Sequence, residues 1–183
     1  MQDYDLPVPD FVIGDVGSTI YRVGPGHTWQ PLAQWEEQIA PDWAGRSRQE
    51  LAELLEDVPG LRLQEAAKQN RHKLSYYTAL TTDREALSVL ITERLEAEAI
   101  HARLVWSTDE PAGVGLLDVL PERASKYHAI CALMKHQGFT LANTVFCGDR
   151  ILAVSAIKWT PQKTITSASV PAALRLNSRE SPV

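Results

Sequence analysis

The fold of this 183-residue chain is decided by residues 117–126, Leu-Asp-Val-Leu-Pro-Glu-Arg-Ala-Ser-Lys, and by the segment that follows them. Residues 116–120 predict a short strand, and residues 125–137 have the apolar spacing of a helix that stops at a glycine. A second apolar strand, predicted at residues 144–147, leads to Asp149. A helix followed by such a strand indicates a parallel α/β unit, in which the active crevice lies at the carboxyl ends of the strands. Asp149 is therefore expected in that crevice.

The sequence before this stretch predicts short strands and helices. Strands are predicted at residues 11–13, 19–23, 73–80 and 102–107, and helices at residues 48–56 and after Thr82–Glu85, which matches a capping box. The helix after the capping box has an apolar stripe of Leu87, Leu90, Ile91 and Leu95. The three tryptophans of residues 29–44 are expected in the core, because Trp35 and Ile39 lie four apart, as on one helix face.

Composition and charge exclude several classes of function. The net charge is −5 and the basic residues are scattered, which argues against a nucleic-acid-binding face. No apolar run approaches the roughly 18 residues of a membrane helix, and the N-terminus lacks the pattern of a signal peptide. Cys131 and Cys147 are not spaced for zinc, so reduced thiols in the cytoplasm are expected. The sequence contains none of the phosphate-loop, His-Glu-x-x-His or Gly-x-Ser-x-Gly motifs.

Three segments in order give the chain a family resemblance. They are residues 9–21 (PDFVIGDVGSTIY), residues 64–76 ending in Lys-Leu-Ser-Tyr, and residues 117–126 followed by Cys147-Gly148-Asp149. In this order and spacing they resemble the sucrose-phosphate phosphatases of the haloacid dehalogenase superfamily. The resemblance implies an α/β fold: a partial Rossmann-like core made of residues 1–28 and 117–183, with an α/β cap of residues 29–116 inserted between them.

The resemblance also implies a magnesium-dependent site for sucrose 6-phosphate. Lys126 matches the family lysine that steadies the nucleophile and the phosphoryl group, and the first turn of a helix adds favourable dipoles for an anion. Asp149 matches an acid that binds Mg²⁺, since hard cations prefer carboxylate oxygens. Solvated surface for Lys126, and a helix or turn cap for Asp149, are the alternative interpretations.

Candidate ligands for the sugar come from the cap strand and from the loop before Lys126. Lys73 and Ser75 share the polar face of the strand at residues 73–80, opposite Leu74, Tyr76 and Thr78, so they are placed to meet sugar hydroxyls. Arg123 is a candidate for the sugar or the phosphate. An exposed strand face and a surface arginine are the alternatives.

The sequence departs from the family pattern at both ends. The family motif Asp-x-Asp-x-Thr, which carries the nucleophile, does not occur; Asp3 and Asp5 have its spacing, but no apolar strand precedes them. Ala153 stands where the family has a second acid after Asp149. Because nucleophilic catalysis needs the attacking group itself, an N-terminally truncated relative that is inactive alone is expected. A non-catalytic sugar or sugar-phosphate binding module, or an incomplete reading frame with catalytic codons upstream, are the alternatives.

Overall fold

The computed structural model describes residues 8–145 and the backbone of Ile165–Ser167. The strands are β1 (Phe11–Gly14), β2 (Thr19–Val23), β3 (Trp29–Pro31), β4 (Arg62–Leu63), β5 (Leu74–Thr78), β6 (Ala102–Asp109), β7 (Val114–Pro121) and β8 (Ile165–Ser167). The α-helices are α1 (Ala33–Ile39), α2 (Arg48–Leu54), α3 (Arg84–Glu96) and α4 (Lys126–Gln137). The α/β class predicted from the sequence is confirmed. In this part of the chain no helix has the length and apolar character to cross a membrane.

The described strands form two sheets, one mixed and one antiparallel. The first has the order β3-β2-β1-β8, in which β1 pairs antiparallel with β2 and parallel with β8. All four residues of β1 are buried, as expected for a strand that is covered on both faces. The second sheet has the order β4-β5-β7-β6 and all its pairs are antiparallel.

Two hydrophobic cores lie against these sheets, and β7 contributes to both. The first core joins β1, β2, α1 and α4 through Phe11, Ile13, Ile20, Trp35, Ile39, Leu120, Ala129 and Leu133. The second joins the second sheet to α2 and α3 through residues that include Leu51, Leu55, Leu74, Tyr76, Leu87, Ile91, Leu95, Leu117 and Val119. Leu120 and Asp118 are two residues apart and therefore share a face of β7. That face is turned towards the first core, where Leu120 packs.

Helix α4 begins one residue after its predicted start and ends as the sequence predicts. Ser125 is its N-cap, with the side chain accepting a hydrogen bond from the His128 backbone N–H, and Gly138 ends it in the left-handed conformation. The strand predicted at residues 144–147 is not found at Thr144 and Val145: both follow a 3₁₀ turn over Leu141–Asn143 and pair with no other strand of the described residues. The other two residues of that prediction lie outside the described part of the chain.

Two predictions for the tryptophans and for α3 are wrong in part. Trp35 and Trp43 are buried, but Trp29 is 47% exposed, because it lies on the edge strand β3, where its ring contacts Tyr21 at a tilt. The N-cap of α3 is Asp83 rather than Thr82. Its carboxylate accepts hydrogen bonds from the backbone of the first turn, which leaves the predicted capping box unformed.

The apolar stripe of α3 is also narrower than predicted. Leu87, Ile91 and Leu95 are buried, whereas Leu90 lies at the border of the stripe and is exposed. Residues spaced four apart repeat on one face of the helix, and Leu90 is displaced from that row by one residue.

Candidate substrate-binding site

A turn between β1 and β2 adopts backbone conformations that L-amino acids rarely take. Asp15, Val16 and Gly17 have φ values of +50°, +62° and +103°. Such a conformation is a genuine outlier for a β-branched residue such as Val16, and costs on the order of 1–3 kcal/mol per residue. Both the backbone N–H and the hydroxyl of Ser18 donate to the Asp15 carbonyl, at 3.1 and 3.0 Å, and so close the turn.

The first peptide of α4 rests directly on this turn. A Cβ atom on Gly17 would overlap the carbonyl carbon of Ser125 and would lie 2.5 Å from the nitrogen of Lys126. Only glycine therefore permits this approach. The unpaired N–H groups at the start of α4 and the half-buried Lys126 side chain consequently lie beside the turn. Among the described residues, none accepts a hydrogen bond from the Lys126 ammonium group.

Asn70 connects this turn to the loop that precedes β5. Its Nδ2 donates to the hydroxyls of Ser18 and Thr19 at 3.1 and 3.2 Å. Its Oδ1 accepts the His72 backbone N–H at 2.8 Å, which fixes the orientation of the amide. The loop that leads into β5 is thus attached to the turn beneath α4.

A polar cluster lies on the face of β5 and β7 that points away from the second core. Ser75 and Asp118 are paired in register, and the Ser75 hydroxyl donates to Asp118 Oδ1 at 2.5 Å. Lys73 Nζ lies 3.7 Å from the same oxygen, and both charged side chains are largely buried, with 13% and 17% exposed. The other carboxylate oxygen, Oδ2, has no hydrogen-bond partner within residues 8–145. The cluster therefore retains one acceptor for a ligand.

The side chain of Gln69 holds the loop in place beside this cluster. Its Oε1 accepts the Ser75 backbone N–H at 2.8 Å, and its Nε2 donates to the Ser75 and Gln64 carbonyls at 2.9 and 3.0 Å. The amide thus pairs with β5 in the manner of a neighbouring strand. Lys73, immediately before β5, is held in the same loop: its carbonyl accepts the Asn70 backbone N–H at 3.2 Å, and its Nζ donates to the Lys68 carbonyl at 3.0 Å.

Arg123, in the loop between β7 and α4, is bound to Asp42. Its Nε and Nη2 donate to Asp42 Oδ1 at 2.8 and 2.6 Å, and its backbone N–H donates to Oδ2 at 2.8 Å. Hydrogen bonds to this carboxylate raise the pKa of the Arg123 guanidinium above its ordinary value. The arginine side chain is 51% exposed, so part of it remains accessible to solvent.

Comparison with known proteins identifies the family. The family model of the sucrose-6F-phosphate phosphohydrolases matches residues 1–155. The chain belongs to this family.

Relatives of known name agree with this assignment. A HAD-like hydrolase of Nitrosococcus oceani is 50% identical over 81% of the chain, and sucrose-phosphatase 1 of Nicotiana tabacum is 30% identical over 77%. The aligned residues span 40% of the first relative and 31% of the second.

A solved structure supports the fold assigned to this chain. The sucrose-phosphatase of Synechocystis sp. PCC6803, solved in complex with sucrose and phosphate, superposes with a TM-score of 0.60. It is 24% identical, and the match covers 76% of this chain and 52% of that one. The fold resemblance predicted from the sequence is therefore confirmed.

The site residues that the sequence predicts for this chain fall into three groups. Lys73 and Ser75 lie together with Asp118. Arg123 lies in the loop that follows β7, and Lys126 comes directly after that loop, as the first residue of α4. Asp149 lies outside the residues that the structure describes. Within those residues, no group of three or more His, Cys, Asp or Glu side chains is arranged to hold a metal ion. The described side chains therefore do not by themselves fit the magnesium ion that the family resemblance implies.

Sequence reasoning assigned no role to three residues that organise the site. They are Asp118, Asn70 and Gly17. Asp118 leaves a signal, since it is the one charged residue in the apolar run of residues 116–120. Asn70 has no comparable signal, because its partners lie more than 50 residues away.

Proposed function

We propose that these 183 residues bind a sugar phosphate of the sucrose 6-phosphate class and do not hydrolyse it by themselves. The observation that carries the proposal is the position of Asn70. Its side chain joins the loop of Lys73 to the turn under Lys126, so that a sugar group and a phosphate group have binding residues in connected parts of the fold. In the proposal, residues 29–116 act as the cap and residues 1–28 and 117–183 as the core.

The phosphate end of the ligand would be held at the start of α4. Lys126 supplies an ammonium group, and the unpaired N–H groups of the first helical turn supply further donors and a favourable dipole. Nη1 of Arg123 is a further donor on the same loop. A dianionic phosphate is complementary to such donors, whereas a neutral sugar gains little from them.

The sugar end would be held by the cluster on β5 and β7. A sugar hydroxyl both donates and accepts, so it requires an acceptor and a donor close together. Asp118 Oδ2 is the free acceptor, and the Lys73 ammonium, 3.7 Å from Oδ1, is the donor. Ser75 is fully buried and its hydroxyl is used by Asp118, so we assign it the orientation of that carboxylate.

The proposed lack of turnover follows from the sequence. The 183 residues contain no Asp-x-Asp-x-Thr, and positioning groups cannot replace an attacking carboxylate. A magnesium ion would supply charge neutralisation of the phosphate in this family. Only Asp149 is assigned to it, and no step of the proposal depends on it.

Calorimetric titration with sucrose 6-phosphate, sucrose and orthophosphate tests the proposal. We expect sucrose 6-phosphate to bind tightest, Lys126→Ala to weaken it by about tenfold through loss of one charge-assisted contact, and Asp118→Asn to weaken sucrose as well. Lys135→Ala, an exposed lysine in the last turn of the same helix, is the matched control. Phosphate release should not exceed a no-protein control with Mg²⁺ present.

Three results would contradict parts of this proposal. Magnesium-dependent release of phosphate that follows the protein through purification would overturn its inactivity. Equal affinities for sucrose and sucrose 6-phosphate, unchanged by Lys126→Ala, would instead identify a sugar-binding module without a phosphate site. No binding of any of the three ligands would overturn the proposal altogether.

A further inference from the structure

We infer that the strained turn at Asp15–Gly17 is a positioning device for Lys126, with Gly17 as the positioning residue. The importance of this for ligand binding rests on the proposed function, because Lys126 is the proposed phosphate ligand. The placement itself rests only on the contacts between the turn and α4. The positive φ angles of the turn cost free energy, and the placement of Lys126 would explain why the fold retains them.

The first observation is the strain itself. Three successive residues have positive φ, and two of them, Asp15 and Val16, are not glycine. Strained backbone persists only where the surroundings determine it, and it is concentrated at functional sites. Positive φ is common in hairpin turns, but there it is taken by Gly, Asn or Asp, so the β-branched Val16 is what makes this turn costly.

The second observation is the set of contacts that hold the turn. Trp35 Nε1 donates to the Gly17 carbonyl at 3.1 Å from within the first core. Tyr21 donates its hydroxyl to Asp15 Oδ2 at 3.3 Å, and burial, followed by the charge of Asp15, raises the pKa of Tyr21. Together with the bonds from Ser18, these contacts hold the turn in this conformation.

The third observation is what the turn touches. Gly17 lies between the Trp35 indole on one side and the Ser125–Lys126 peptide on the other. The peptide is so close that a methyl group in place of the glycine hydrogen would overlap it. A change in the turn must therefore move the N-terminus of α4, and Lys126 moves with it because it is the first residue of that helix.

Two variants change this contact to different degrees. Gly17→Ala introduces the overlap and a disfavoured φ. Trp35→Phe keeps an aromatic ring in the core, but it removes the donor to Gly17 together with part of the buried volume of the indole. Gly26→Ala is the matched control, because Gly26 also has positive φ, at +69°, but nothing lies within 4 Å of a Cβ there. If Gly17→Ala does not fold, Trp35→Phe still tests the inference.

The experiment combines amide NMR with ligand titration. We expect Gly17→Ala and Trp35→Phe to shift the amide signals of Ser125–Ala129 and to weaken the binding of orthophosphate and sucrose 6-phosphate by up to about tenfold, the loss expected when the contact of Lys126 is removed. The affinity for sucrose should not change. A merely structural effect would instead lower the affinities for sucrose and for the phosphate compounds together with the thermal midpoint. Gly26→Ala should lower the thermal midpoint and leave the affinities unchanged.

The amide signals decide the inference separately from the proposed function. Unchanged signals of Ser125–Ala129 in both variants, or shifts equal to those in Gly26→Ala, would overturn it. If the wild-type protein binds no phosphate compound, the proposed function fails, but selective shifts in the first turn of α4 still support the positioning of Lys126. Selective shifts with an unchanged affinity for a phosphate that binds would overturn the functional part of the inference.

Discussion

Replacement of Asp42 by alanine is expected to destabilise the protein strongly. Asp42 is buried and accepts three hydrogen bonds from Arg123, at 2.6, 2.8 and 2.8 Å. A hydrogen bond to a charged group contributes about 1.5–3 kcal/mol, but the arginine side chain is half exposed and the three bonds are not additive. We therefore expect the free energy of unfolding to fall by about 2–3 kcal/mol, which lowers the thermal midpoint of a chain of this size by about 4–12 °C.

Glu98→Ala is the matched control for this prediction. Glu98 accepts one hydrogen bond from Arg46 at 2.7 Å, and both side chains are almost half exposed, so its loss should cost less than about 1 kcal/mol. Chemical denaturation followed by circular dichroism measures both variants. If Asp42→Ala shifts the midpoint no more than Glu98→Ala, the loop before α4 is not held by this ion pair, and our reasoning about it is wrong.

Three further predictions concern buried polar groups and a helix cap. Burial raises the pKa of Tyr76 to about 12 and its hydroxyl has no hydrogen-bond partner among residues 8–145, so Tyr76→Phe should not destabilise the fold and should remove a late step from the alkaline titration at 295 nm. Burial lowers the pKa of His72, so stability should fall as the pH drops below about 6.5, and denaturation of His72→Phe should show a flatter profile. Ser125→Ala should cost about 1 kcal/mol in the same assay, through loss of the α4 cap.

The direction of the His72 prediction follows from proton binding. The folded state holds this buried side chain neutral, whereas the unfolded chain protonates it with an ordinary pKa near 6.5. Between that value and the lowered pKa of the folded state, the unfolded state binds more protons, so acid favours unfolding. A stability that is independent of pH in this window would contradict the burial of a neutral imidazole.

The elements that were predicted correctly are those with local signals. The strand at residues 19–23 is confirmed at the same residues, and α4 is confirmed together with its stop at Gly138, while Ser125, predicted as its first residue, is its N-cap. Each of these depends on residues at most four apart, such as a cap and the backbone that it contacts. The alternation of β5 is of the same kind, since Leu74 and Tyr76 lie in the second core while Ser75 faces Asp118.

The contacts that organise the site could not be predicted in this way. Ser75 and Asp118 are 43 residues apart and meet only because β5 and β7 are neighbours in one register. Arg123 and Asp42 are 81 residues apart, and no local pattern indicates that most of this guanidinium is already engaged by a carboxylate. Such pairs are set by topology and packing rather than by local propensity.

The course of β7 explains why one ligand should engage both parts of the proposed site. Asp118 lies in the second half of this strand, and the chain continues from its end through the Arg123 loop to Lys126, without any intervening helix or strand. Asn70 joins the loop before β5 to the turn under α4, while Asp42 holds the Arg123 loop. A ligand with a sugar and a phosphate would then meet two groups of residues whose separation is already fixed, so its second contact would cost little additional ordering. Sucrose and orthophosphate supplied together as separate molecules should therefore bind more weakly than sucrose 6-phosphate at the same concentration.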